Sequence, residues 1–153
     1  FPFLAIIDYN HFMTWYLAAF LSAVFAALTT ILAKIGIQSV NSNLGTAIRT
    51  SVILLFTWGI VFFQGGGLSG LGQIKTQAWI FLILSGIATG LSWLFYFRAL
   101  QLGDASKVVP IDKLSLVLTI ILAGLFLKEK ITLTIVFGSV LMTVGAIIIA
   151  YAK

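Results

Sequence analysis

The residues of this chain best suited to chemistry are an acid and a base side by side, Asp112 and Lys113, in the fourth of its long apolar stretches. An ionisable side chain at membrane depth is expensive, so it faces a bundle interior or a wet cavity and handles ions or solutes. Neighbours on a helix point about 100° apart, so these two need not pair with each other. The competing placement starts the helix later, with Pro110 in its first turn and both charges at the headgroups. Inside a helix, Pro110 removes a backbone hydrogen bond and frees a carbonyl near Ser106, which exposes backbone to a solute.

Polar side chains recur at helical spacing in three stretches. Asp112, Ser115 and Thr119 share a face of the fourth, and Ser85, Thr89, Ser92 and Tyr96 share one of the third. Ser22, Thr29 and Ala33 make a weaker line on the first. Each line alone fits interhelical packing; three together with a charge predict a shared hydrated pathway. Trp93, one turn from Tyr96, offers a face for an apolar or cationic solute, with lipid or core packing as the plain alternative. Arg49 and Lys34 offer groups for an anion or anchors for the first loop at the membrane surface, and the anchor reading fits Lys34 better. Gly86 and Gly90 form a small-xxx-small pair, and Gly138 and Gly145 lie seven apart. Both spacings let backbones approach closely, within one chain or between protomers.

Enzyme and metal chemistry lack their parts. There is no cysteine, a single histidine (His11), and four acidic residues spread apart, so no catalytic group, metal site or cofactor site is expected. The net charge of +5 comes from nine Lys and Arg residues scattered singly between apolar runs, which argues against nucleic acid.

The elements that position these residues are helices. Apolar runs cover about Thr14 to Ile37, Leu44 to Gln64, Gln77 to Leu100, Ala105 to Leu127 and Ile131 to Tyr151, each near the roughly 20 residues that cross a bilayer. They lack the two-residue alternation of a barrel strand. Short connections predict that sequential helices pack as antiparallel neighbours. Residues Gly65 to Gly72 read as a flexible loop too glycine-rich for a helix. Lys128-Glu129-Lys130 reads as a solvated tight turn, with Glu129 a candidate cap for the fifth helix. Trp15, Trp79 and Tyr151 sit at run ends as interface anchors, and Trp58 lies deeper.

Composition agrees. Of 153 residues, 61% are hydrophobic and 8% charged, and the mean hydropathy is +1.15. A soluble domain carries about a quarter charged residues, so the expected fold is all-α: a five-helix membrane bundle over residues 13–153. Residues 1–12 read as an N-terminal extension or a short interfacial segment, without the basic region or cleavage site of a signal peptide. Lys34, Arg49, Arg98, Lys107, Lys113 and Lys153 fall on one side, and Lys75, Lys128 and Lys130 on the other. The positive-inside rule favours an outside N-terminus and a cytoplasmic C-terminus, with the bias modest enough to allow dual insertion.

The run Tyr96-Phe97-Arg98-Ala99-Leu100-Gln101-Leu102-Gly103-Asp104-Ala105-Ser106-Lys107-Val108-Val109-Pro110 resembles the signature of EamA-type proteins in the drug/metabolite transporter superfamily. As in that family, a long apolar helix, Glu129 and a glycine-punctuated last helix (Gly138 to Gly145) follow. Asn41-Ser42-Asn43-Leu44 leading to Ala47-Ile48-Arg49-Thr50 is similar to its short, single-repeat prokaryotic branch. One departure is Lys128, where many relatives carry glycine before the glutamate. The resemblance implies a five-helix repeat that larger relatives carry twice in inverted orientation. A single copy then needs a partner, such as an antiparallel second copy, with helices one to four lining the pathway and the fifth assembling the dimer. The function expected is export of small metabolites, amines or drug-like cations across the prokaryotic cytoplasmic membrane by alternating access. The alternatives are a lipid or lipid-carrier flippase and a non-transporting scaffold or accessory subunit.

Overall fold

The structure, a computed structural model, describes residues 14–64 and 67–152. The proposed extension, residues 1–12, lies outside them, as do His11 and Lys153. Among the described residues there are helices and no strand, and five helical segments are long and apolar enough to cross a membrane. Two compact units divide the chain, one through Phe97 and the other from Arg98.

The first unit holds α1 (Trp15–Gly36), α2 (Ser42–Phe63) and most of α3 (Thr76–Leu102). No proline falls between residues 14 and 109, so each backbone ladder runs unbroken across its span. α1 ends at Gly36 with the amide of Ile37 closing on the carbonyl of Ala33 at 2.9 Å. Lys34 in its last turn complements the negative end of the helix dipole. α2 starts where the Asn41 side chain accepts from the amide of Asn43 at 2.9 Å. That connection is tight. A Cβ at Gly45 would sit 3.1 Å from the Cγ2 of Ile37, so glycine lets the Ile37 side chain tuck against α2.

After α2 the glycine-rich stretch departs from expectation. Gly67–Gln73 forms a 3-10 helix that packs back on α2. Glycine lowers helix propensity, yet a short 3-10 run needs only i→i+3 bonds and tolerates it.

Burial in this unit is inverted and one-ended. The buried residues are Thr30, Ile37, Ser42, Thr46 and Phe97, of which three carry hydroxyls. Apart from Phe97 and Leu100, most leucines, isoleucines and phenylalanines of α1–α3 are exposed, as suits a lipid solvent. Each buried threonine returns its hydroxyl to its own helix: Thr30 to the carbonyl of Ala26 at 3.0 Å and Thr46 to that of Ser42 at 2.9 Å. All five lie toward the end where α1 meets α2, and no described residue of the opposite half is buried. Contacts are organised around α3, which touches α1 through Tyr96 and α2 through Trp93 and Phe97.

The second unit holds the end of α3, then α4 (Ala105–Asp112), α5 (Ser115–Leu122), a π turn (Ala123–Leu127) and α6 (Leu133–Tyr151). The fourth span is therefore not the single helix its hydropathy suggested. Pro110 is inside α4 rather than in a first turn, and the helix breaks at Lys113 and Leu114. There the amides of Leu114, Leu116 and Val117 step back only three residues, to Ile111, Lys113 and Leu114, at 3.0–3.1 Å. Proline supplies no amide, so the ladder is already weakened one turn earlier. α4 packs closely along α6, while α5 touches it less. Between α5 and α6 this leaves an apolar pocket of about 410 Å³, lined by Val117, Ile120, Ile121, Ile131, Val136, Ser139, Val140, Thr143 and Val144.

The turn before α6 also differs from expectation. Thr132, not Glu129, caps α6, its side chain accepting from the amide of Ile135 at 3.4 Å. Glu129 is spent earlier: its amide bonds the carbonyl of Ala123 at 3.3 Å and closes the π turn. Lys128 stands between them in the left-handed region, at φ 55°. That conformation is the physical reason a glycine suits this position.

Candidate functional site

The polar residues of the first unit gather at one level. Thr30 on α1, Arg49 on α2 and Trp93, Tyr96 and Phe97 on α3 lie about 8 to 14 Å in from the helix ends nearest them, at roughly 1.5 Å per residue. The Arg49 guanidinium carbon is 4.4 Å from the centroid of the Trp93 ring and 5.3 Å from that of Phe97. Trp93 thus stacks on the protein's own cation, where a cationic solute had been one expectation. Trp93 and Phe97 lie four apart on α3 and so share one face, which is how a single helix offers two rings to one cation.

Beside this cluster, the hydroxyls of Thr30 and Tyr96 are 2.7 Å apart. Thr30 has one proton and donates it to the carbonyl of Ala26. Tyr96 therefore donates to Thr30, and its oxygen keeps a lone pair to offer elsewhere. The bond joins α1 to α3 across 66 residues of sequence. Tyr96 also meets Phe97 edge to face, at 6.3 Å and 69°.

Magnitudes set what the aromatic contacts contribute at Arg49. A cation–π contact contributes about 0.5–2 kcal/mol. An arginine at the centre of a membrane helix costs about 2.5–3.5 kcal/mol by insertion scales, and less toward the ends. Two such contacts, about 1–4 kcal/mol together, offset much of that cost, while the N–H donors still call for acceptors, from water or an anion. No acidic residue occurs anywhere between Asp8 and Asp104. Among the described residues, no carboxylate and no hydrogen-bond acceptor engages the guanidinium, which remains only half-buried.

The remaining sequence-selected residues of α3 lie elsewhere. Ser85, Thr89 and Ser92 are exposed, and Thr89 donates to the carbonyl of Ser85 at 2.9 Å. On α1, Ser22 is exposed and Thr29 and Ala33 are half-buried, while Thr30, one residue from the expected line, makes the cross-helix bond. Thr30 and Phe97 are the members that sequence reasoning did not single out. At Gly86 and Gly90 an added Cβ would meet nothing within 4 Å, and the same holds at Gly138 and Gly145 on α6.

Asp112, Lys113, Ser115 and Thr119 belong to the second unit. The break after α4 brings the Lys113 ammonium within 3.8 Å of the Asp112 carboxylate. The two side chains remain 58% and 38% exposed, so the pair is loose and locally neutral. Thr119 donates to the carbonyl of Ser115 at 2.8 Å, and both are exposed. Among the described residues no cluster of metal-binding side chains occurs.

Comparison with known proteins places this arrangement. The model of the EamA-like transporter family matches residues 13–151. A protein of Sinorhizobium sp, named as an uncharacterized transporter in the cobO 3′ region, is 47% identical over 137 residues, covering 90% of this chain and 96% of that protein. An uncharacterized protein of Methanocaldococcus jannaschii is 34% identical over 73 residues, 48% of this chain and 53% of that protein. No solved structure matches. With five apolar spans and a family match across nearly all of its length, this integral membrane protein belongs to the EamA-like transporter family.

Proposed function

We propose that the chain is a secondary transporter of small solutes, working by alternating access as a dimer of two copies. The observation that carries this reading is the Arg49 cluster. A cation stands within a membrane-spanning helix, its guanidinium carbon 4.4 Å from the Trp93 ring and 5.3 Å from that of Phe97, with no carboxylate beside it among the described residues. Groups of that cost persist in lipid where a solute or ion uses them. One-ended burial in the first unit suits a pathway closed at one end of the repeat. The break at Lys113 and Leu114 supplies a hinge of the sort that moving bundles use. Two copies supply the paired repeats that alternating access needs, and the bare faces at Gly86/Gly90 and Gly138/Gly145 suit close helix contact between them. The basic residues favour a cytoplasmic C-terminus in the cell membrane.

The test is flux. Purified protein in proteoliposomes should move at least one member of a broad panel of metabolites, amines and organic acids down an imposed solute or proton gradient. Absence of flux for every member, with the protein folded and inserted, would leave an accessory role. One observation favours a second reading. The apolar pocket of about 410 Å³ between α5 and α6 has the chemistry of an acyl-chain groove, its polar lining limited to Ser139 and Thr143. A lipid flippase predicts scrambling of headgroup-labelled lipid in the same vesicles; unchanged leaflet asymmetry removes it.

A further inference from the structure

We infer that Arg49 is the receptor for an oxyanion, a carboxylate or a phosphate, presented by the solute or by a lipid headgroup. The inference names the charge of the ligand and rests on the transport reading only for the step from binding to passage.

Four observations converge on it. The two rings, both on α3, approach the guanidinium carbon at 4.4 and 5.3 Å, and the group carries a planar edge of N–H donors. A planar edge of that kind matches the paired oxygens of a carboxylate or phosphate. No hydrogen-bond acceptor among the described residues fills that place. From Tyr9 to Gly103 the sequence contains no acidic side chain, so the span of chain around Arg49 has a fixed positive charge and nothing of opposite sign. The Tyr96 hydroxyl, already donating to Thr30, is left as an acceptor for a protonated oxygen or a hydroxyl on the same ligand. An amine would find no carboxylate among the described residues of this unit and would meet Arg49 as a like charge.

Three matched aromatic probes test this: benzoate, phenyl phosphate and benzylammonium, titrated at constant ionic strength against the full chain in detergent. Tryptophan fluorescence, read against the Trp93→Phe variant because the chain holds four tryptophans, reports binding near Trp93, and the thermal midpoint reports binding to the folded state. Benzoate or phenyl phosphate should bind at least about tenfold more tightly than benzylammonium. Arg49→Gln should weaken that oxyanion binding by about tenfold or more, the scale of a charge-assisted pair. Arg49→Lys, which keeps a point charge and loses the planar fork, should weaken it severalfold and decides the matter if the glutamine variant does not fold.

Nanodiscs separate the two sources of the anion. If phosphatidylglycerol in place of phosphatidylcholine raises the thermal midpoint of the wild type but not of Arg49→Gln, the headgroup is the ligand. If the soluble oxyanions act equally in both lipids, the solute is. Benzylammonium binding as well as the oxyanions would overturn the inference, as would oxyanion affinities unchanged by both substitutions. Oxyanion binding at Arg49 without flux of any solute would remove the transport reading and leave the site. Flux without oxyanion binding would do the reverse.

Discussion

The two units of this chain treat charge in opposite ways. In the second, Asp112 and Lys113 are neighbours in sequence and lie 3.8 Å apart across a break in the helix, so each answers the other. In the first, Arg49 stands among rings and hydroxyls in a stretch without a single carboxylate. A neutralised pair is a structural solution to a costly group, complete within the chain. A lone cation held against aromatic faces is incomplete by itself and gains most when an anion arrives. The adjacent opposite charges catch the eye in the sequence. The unpaired one is better placed to act.

The sharpest way to break this contrast is to remove charge from each unit and measure flux. Arg49→Gln should lower transport by about tenfold or more, because a charge-assisted contact to the solute goes with it. Asp112→Asn should change it less than about fivefold, since a loose, exposed pair is worth at most about 1 kcal/mol. The opposite order would return the pathway to the fourth span. Helical content by circular dichroism guards both readings against simple unfolding.

A second prediction concerns packing and is confined to the second unit. A Cβ at Gly124 would lie 2.6 Å from the Cδ1 of Ile131, closer than carbon atoms come, so the isoleucine must move. Gly124→Ala should destabilise by about 0.5–1.5 kcal/mol, the cost of moving one part-exposed side chain off its rotamer, measured by unfolding in mixed micelles. Ile131→Val deletes that methyl, and the double variant should recover most of the loss. Failure of that rescue would mean the π turn itself, not the side-chain contact, requires glycine.

Hydropathy and length made five spans legible because lipid imposes a long, continuous apolar run whatever the tertiary structure. The break in the fourth was half legible. Pro110 marked a weakened ladder, but the shift to three-residue steps falls at Lys113 and Leu114, where no residue type announces it. Of the polar line expected on α3, Tyr96 bonds across to α1 while Ser85, Thr89 and Ser92 are exposed. On α1 the bond to α3 comes from Thr30, about 100° of rotation from the expected line through Thr29. Periodicity fixes which residues share a face, not which face meets a neighbour. The missing signal was an absence: ninety-five residues from Tyr9 to Gly103 without an acid leave Arg49 unanswered, which is plain in the sequence once charges are counted by region. Thr132 as the cap was equally readable, since a threonine directly before an apolar run is a common start signal.

The bond between Thr30 and Tyr96 tests how much the first unit owes to hydroxyls. Thr30→Val and Tyr96→Phe, singly and together, form a double-mutant cycle. Interhelical hydrogen bonds in membranes couple by about 0.6 kcal/mol on average and about 1.7 at most. A value in that range places the pair as a modest clamp that orients Tyr96 beside Arg49. A coupling near zero would leave the packing of Phe97, buried on the same helix, as the joint between α1 and α3.

The smallest effect expected is also the most diagnostic of backbone alone. Lys128 holds a left-handed conformation that costs an L-residue about 1–2 kcal/mol. Glycine removes that strain but adds about 0.5–1 kcal/mol of chain entropy to be lost on folding. Lys128→Gly should therefore leave the unit unchanged or stabilise it by up to about 1.5 kcal/mol, with transport unaffected. Lys128→Ile, β-branched and unsuited to positive φ, should destabilise it. Should the glycine variant instead lose transport at full stability, the lysine charge would be functional, and the second unit would hold an unanswered cation of its own.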